Sequence, residues 1–97
     1  MGLDRETAAR LAEERLAEWR RLNYGDWRVM LEDKELRQVV DEDGKRYSVT
    51  CYALDDGDGR VRMVVAVDGA GWSAFVPLVR HETMNPDGTL SAPIAYP

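Results

Sequence analysis

The chain has 97 residues, 44% of them apolar and 32% charged, which describes one folded domain with room for only a small core. Its 18 acidic and 13 basic residues leave a formal charge of −5. That balance argues against nonspecific binding to nucleic acid or to an anionic membrane, which needs a basic patch, while leaving a basic protein partner open. The single cysteine, Cys51, excludes an internal disulfide and with it the small secreted scaffold.

The opening "MGLDRETAARL" carries charge where a signal peptide has an apolar stretch, and Glu6 stands where a myristoylation site prefers Ser or Thr. No window approaches the run of about 18 uncharged apolar residues that a membrane span needs. A cytoplasmic protein is the expectation.

From Leu3 to Gly25 the sequence reads as a helix. Asp4 suits the N-cap, Glu6 the first turn, Arg20 and Arg21 the last turns, and Gly25 the C-terminal stop. Glu6 and Arg10 have the spacing of an i, i+4 ion pair. At about 100° per residue, Ala8, Leu11, Ala12, Leu16, Trp19 and Leu22 share one face, which must dock on the rest of the domain or on a partner. Arg15 falls inside that apolar arc. Either its stem lies along the edge with the guanidinium in water, or it is buried and paired.

After Gly25 the period changes to two. Trp27, Val29 and Leu31 alternate with Arg28, Met30 and Glu32, which predicts a strand. Leu36–Asp41 continues it, as a second strand or as one strand bent by a bulge. Asp43-Gly44 marks a hairpin between "LRQVVDE" and "KRYSVTCYAL". "DDGDG" separates that strand from "RVRMVVAV", and "DGAG" leads into "WSAFVPLVRHE". Short connections of this kind imply an antiparallel meander.

Val61, Met63, Val65 and Val67 form one apolar set, while Val64 and Ala66 share the other side with Arg60, Arg62 and Asp68. The second side is thus less polar than a solvent face needs. The tail, a second copy of the chain or a partner would cover it. Pro77 cannot donate to the ladder and fits an edge position or a bulge.

The expected fold is α+β: one N-terminal helix packed in two layers on a four- to five-stranded antiparallel meander over residues 1–84, with an extended tail at 85–97. This order of elements is similar to that of the cystatin-like folds, in which a curved meander wraps one helix. The similarity covers element order alone and carries over no functional residue.

No motif points to chemistry. Gly69-Ala70-Gly71-Trp72-Ser73-Ala74 spells G-x-G-x-x-A, but a dinucleotide site needs the turn to open a helix. "WSAFVPLV" is β-branched and aromatic, and Pro77 would break a helix there. "HETMN" begins like H-E-x-x-H without the second histidine, and one His with one Cys cannot build a tetrahedral zinc site. "DDGDG" fails the calcium-loop register. Cys51 has no second thiol to resolve it, and His81 is the only imidazole for a base role.

No catalytic residue, metal or cofactor is therefore assigned. The leading expectation is a non-enzymatic protein-interaction or regulatory domain, acting through a sheet face or the tail, with self-association as one form. Trp27, Trp72, Tyr47 and Tyr52 either fill the core or, since aromatics anchor interfaces, form its contact surface, with Trp72 the binding candidate among the tryptophans. The alternative is a small-molecule-binding protein or simple enzyme with a pocket between helix and sheet, using Arg15, Tyr47, Tyr52 and His81. A third reading, an acidic inhibitor that mimics nucleic acid, is opposed by the Arg and Lys interspersed among the acids.

Overall fold

The computed structural model describes residues 5–42, 44–69 and 77–91. Its elements are α1 (Arg5–Arg20), α2 (Tyr24–Val29), a 3₁₀ turn (Met30–Glu32), and strands β1 (Lys34–Val40), β2 (Arg46–Asp55), β3 (Val61–Gly69) and β4 (Leu78–Met84). The strands form one antiparallel sheet in the order β1-β2-β3-β4, so the meander and the two-layer α+β architecture are as expected.

α1 forms because its apolar positions recur at helical spacing. Ala8, Leu11, Ala12, Leu16 and Trp19 are all buried, packed over β3 and β4. Each large member contributes on the order of 1.5–3 kcal/mol by leaving water. Asp4, the expected N-cap, lies outside the described residues. Arg10 hydrogen-bonds Glu14 at 3.1 Å and Asp41 at 2.6 Å, so it joins the helix to the end of β1.

The segment after α1 corrects the sequence reading. α1 stops at Arg20, five residues before Gly25, and Leu22 is 41% exposed and lies beyond it. Trp27, Val29 and Leu31 belong to α2 and the 3₁₀ turn, and the strand begins only at Lys34. The cause is local. The Asn23 side chain accepts from the Asp26 N–H at 2.9 Å, and the Asp26 carboxylate accepts from the Asn23 N–H at 3.2 Å. This reciprocal capping box satisfies two donors of a new helix start and overrides the period-two pattern.

Trp27 is then fully buried, and its indole N–H donates 2.8 Å to the Trp19 carbonyl near the end of α1. Tyr24 donates its hydroxyl to the Gly59 carbonyl, tying α2 to the β2–β3 turn.

Register fixes the two faces of the sheet. Tyr47, Val49, Cys51 and Ala53 of β2, and Val61, Met63, Val65 and Val67 of β3, are buried under the helices. Leu78 and Met84 of β4 join them, with Arg80 and Glu82 between. Gly44 and the Gly57–Gly59 turn supply the positive φ angles that the tight connections need.

The "DGAG" connection and the start of the expected last strand (residues 70–76) lie outside the described residues. Pro77 immediately precedes β4, an edge strand of this sheet. After β4 the chain turns through Asn85–Thr89 and comes back beside it. Leu90 bridges Met84, and the Ser91 N–H donates to the Thr83 carbonyl at 2.8 Å. Residues 92–97 are likewise outside the description.

Two substitutions check this account. Asn23→Ala removes the α2 cap and is expected to cost about 1 kcal/mol in chemical denaturation, with Asn23→Asp retaining most of the stability. Gly59 holds φ +79°, and a Cβ there would meet Pro86 Cγ at 2.9 Å. Gly59→Ala should cost about 1–2 kcal/mol from backbone strain alone, with the contact adding to it.

Candidate interaction surface

The sheet face turned away from α1 is built from the alternate positions of each strand. Its central rows, read across the sheet, are Lys34–Tyr52–Val64–His81 and Leu36–Thr50–Ala66–Val79. Leu54, Arg62 and Thr83 flank them on one side, and Gln38, Ser48 and Asp68 on the other. The Leu36–Val79 row crosses all four strands without a charge. Among the described residues nothing packs over this face: Leu36 is 63% exposed, Val40 64%, Leu54 46% and Val79 43%. Val64, between Tyr52 and His81, is shielded to 4%.

From strand spacing and rise, four strands of about seven residues span roughly 19 by 23 Å, on the order of 400 Å² in projection.

Polar groups border the apolar rows. Arg62 pairs with Asp56 at 2.7 Å, and the Thr83 hydroxyl reaches the same carboxylate at 3.4 Å. Gln38 donates to the Ser48 hydroxyl at 3.0 Å. The acids that cluster in sequence, Asp41-Glu42 and Asp55-Asp56-Asp58, sit at the ends of the strands and not on the face.

The pocket candidates divide between the two sides of the sheet. Arg15 and Tyr47 lie on the helix side, whereas Tyr52 and His81 lie on the uncovered side, in one row with Val64 between them. Trp72 lies outside the described residues. Tyr47 is 2% exposed, and its hydroxyl has no hydrogen-bond partner among the described residues.

Arg15 is half-buried and paired, between the two options the sequence left open. Its guanidinium stacks 5.0 Å from the Trp19 ring centroid and hydrogen-bonds Glu18 at 3.1 Å and Glu35 of β1. Burial works against its charge, but the hydrogen bonds to Glu35 and Glu18 outweigh it, and the pKa lies above the ordinary arginine value. Cys51, fully buried beside this group, has its thiol pKa raised by burial, with Trp19 and Arg15 pulling the other way.

On the opposite flank Arg20 grips Glu82 of β4. Its Nε lies 2.9 and 2.8 Å from the two carboxylate oxygens and its Nη2 2.7 Å from one of them. Glu13 adds a contact at 2.7 Å. Hydrogen bonding to Glu82, then to Glu13, drives the Arg20 pKa upward. Neither Glu35 nor Glu82 was legible as a partner, because the pairing depends on which strand ends beneath which helical turn. The uncovered positions left a signal that is easily missed: Leu36 and Val40 share strand parity with Gln38, not with the core-facing Val39.

The helix–sheet interior holds the buried core side chains. A shallow, open depression lined by Leu31, Glu32, Asp33, Lys34, Tyr52 and Ala53 lies instead at the start of β1. Among the described residues no three His, Cys, Asp or Glu side chains gather as a metal site, and no helix is long and apolar enough to cross a membrane. No family model, curated protein or solved structure matches this chain.

Two measurements test the helix-side geometry. Cys51 should resist alkylation at mildly alkaline pH in the folded protein and react fully once the chain is unfolded. Arg15→Ala should cost about 2 kcal/mol in stability, since it removes charged hydrogen bonds and the ring contact together.

Proposed function

We propose that this chain is a small protein-interaction domain, without catalytic activity of its own, that binds a protein partner through the uncovered face of its sheet. One observation carries the reading: a charge-free row from Leu36 to Val79 crosses the whole sheet, and both ends of it are exposed. A solvent face of an antiparallel sheet ordinarily alternates to polar residues there. Tyr52 beside this row is the kind of rigid, amphipathic side chain that anchors interfaces. The partner that fits is a protein segment presenting apolar side chains. A cytoplasmic setting suits a chain whose single cysteine allows no internal disulfide. The small-molecule reading is weaker, because its four candidate residues point to two sides of the sheet.

Val79→Glu and Leu54→Glu place a carboxylate on the face at positions already in water, so the fold should survive. Proteins captured by the native chain from its own cell extract should be lost at least about tenfold with either variant, because a charge would be buried against the partner. Arg21→Glu, on the opposite side, should leave capture unchanged. Equal capture by all four chains removes the proposal.

A further inference from the structure

We propose that β1 pairs edge to edge, antiparallel, with β1 of a second copy of this chain, with Leu36 on the two-fold axis.

The sheet has two edges, and they differ. β4 has Leu90 and Ser91 bonded beside its end. β1 has β2 as its only strand partner among the described residues, and it is exposed at every position except Glu35 and Val39, which are half-buried. A seven-residue edge with open backbone groups is a template for another strand.

Natural edges are commonly guarded by charge, and β1 carries Lys34, Glu35 and Arg37. Their order decides between a guard and a complement. Residues directly opposite in an antiparallel pair point to the same face, so a two-fold pairing must place one residue opposite its own copy. Centring on Arg37 sets two guanidiniums against each other. Centring on Gln38 sets Arg37 opposite Val39 of the other copy at both ends, with no pair of opposite charges within β1. Centring on Leu36 sets Glu35 opposite Arg37 twice, Lys34 opposite Gln38 twice, and Leu36 against Leu36.

Directly opposed Cβ atoms lie about 4.5–5.5 Å apart, close enough for both ion pairs and for the leucine contact. Arg37 is suited to the exchange. It is half-exposed and, among the described residues, its ion pairs are the contacts of 3.8 and 4.0 Å to Glu35 and Glu18. Leu36, 63% exposed in one copy, gains an apolar neighbour in two.

The pairing uses backbone and leaves the uncovered face open. It therefore goes beyond the interaction reading, and it joins two such faces into one surface of twice the width. An edge contact buries less than the roughly 1,200 Å² of a standard interface, so a concentration-dependent dimer is expected.

Light scattering or sedimentation of the purified chain should show a mass rising from 11.0 kDa toward twice that value with concentration. Leu36→Lys alone and Leu36→Glu alone should each stay monomeric with an unchanged circular dichroism spectrum. Mixing the two should restore the dimer as a heterodimer, since position 36 then meets its opposite charge. Arg37→Glu, which sets carboxylate against carboxylate, should also abolish the dimer and serves if a Leu36 variant misfolds.

A chain that stays monomeric up to several hundred micromolar overturns the proposal. A dimer unaffected by the single variants, or a mixture that fails to re-form one, overturns it too. Each readout uses the purified chain alone, whereas the interaction reading stands or falls on partner capture by the Val79 and Leu54 variants.

Discussion

One helix of 16 residues, about 24 Å long, can dry one side of a four-stranded sheet and no more. The rest of this structure follows from that limit. Core-facing positions of β2 and β3 are uniformly apolar because α1, α2 and the 3₁₀ turn cover them. The same strands place Tyr52, Thr50, Val64 and Ala66 on the other side, where no described element remains to cover them. A larger domain would spend a second helix there. This one leaves the apolar ends of that row, Leu36 and Val79, in water.

α1 also has to be held at one angle, because an apolar stripe on an apolar sheet can slide. Three arginines spaced five apart do this. Arg10 reaches Asp41 beyond β1, Arg15 reaches Glu35 on β1, and Arg20 reaches Glu82 on β4. Exposed pairs of this kind add little free energy. Their value is positional, since they tie the helix to both edges of the sheet. Arg15 and Arg20 are the stronger ties, one through the Trp19 ring and partial burial, the other through a two-oxygen grip. A helix fixed at both edges leaves the sheet a single, defined uncovered face.

Much of this was legible in the residues. The apolar arc of α1, the meander, and the separation of Val61, Met63, Val65 and Val67 from Val64 and Ala66 all come from periodicity, which reports burial directly. The oddity of Arg15 in the apolar arc was legible too, and it marks a paired cation. What periodicity hid was α2. Trp27, Val29 and Leu31 alternate as a strand would, but six residues are too few for a period to speak against a capping box, and Asn23 with Asp26 decided the matter. The mates of Arg15 and Arg20 were hidden for a different reason: they are set by how the helix crosses the sheet, which no local pattern encodes. The uncovered face was half visible, in the apolar second side of β3, while Leu36 and Val40 needed the register of β1 to be seen.

β1 is where these constraints meet. Its inward side chains, Glu35 and Val39, are committed to the helix and the core. Its outward side chains, Leu36, Gln38 and Val40, belong to the uncovered face. Its outer edge has no strand beside it among the described residues. A strand with so little burial of its own draws its order from β2 and from the Arg15–Glu35 tie. That makes it the part of the sheet with most to gain from a neighbour. Edge pairing would supply backbone hydrogen bonds, and partner binding would supply apolar cover. The two act on different groups of the same strand, so each would stiffen the element the other uses.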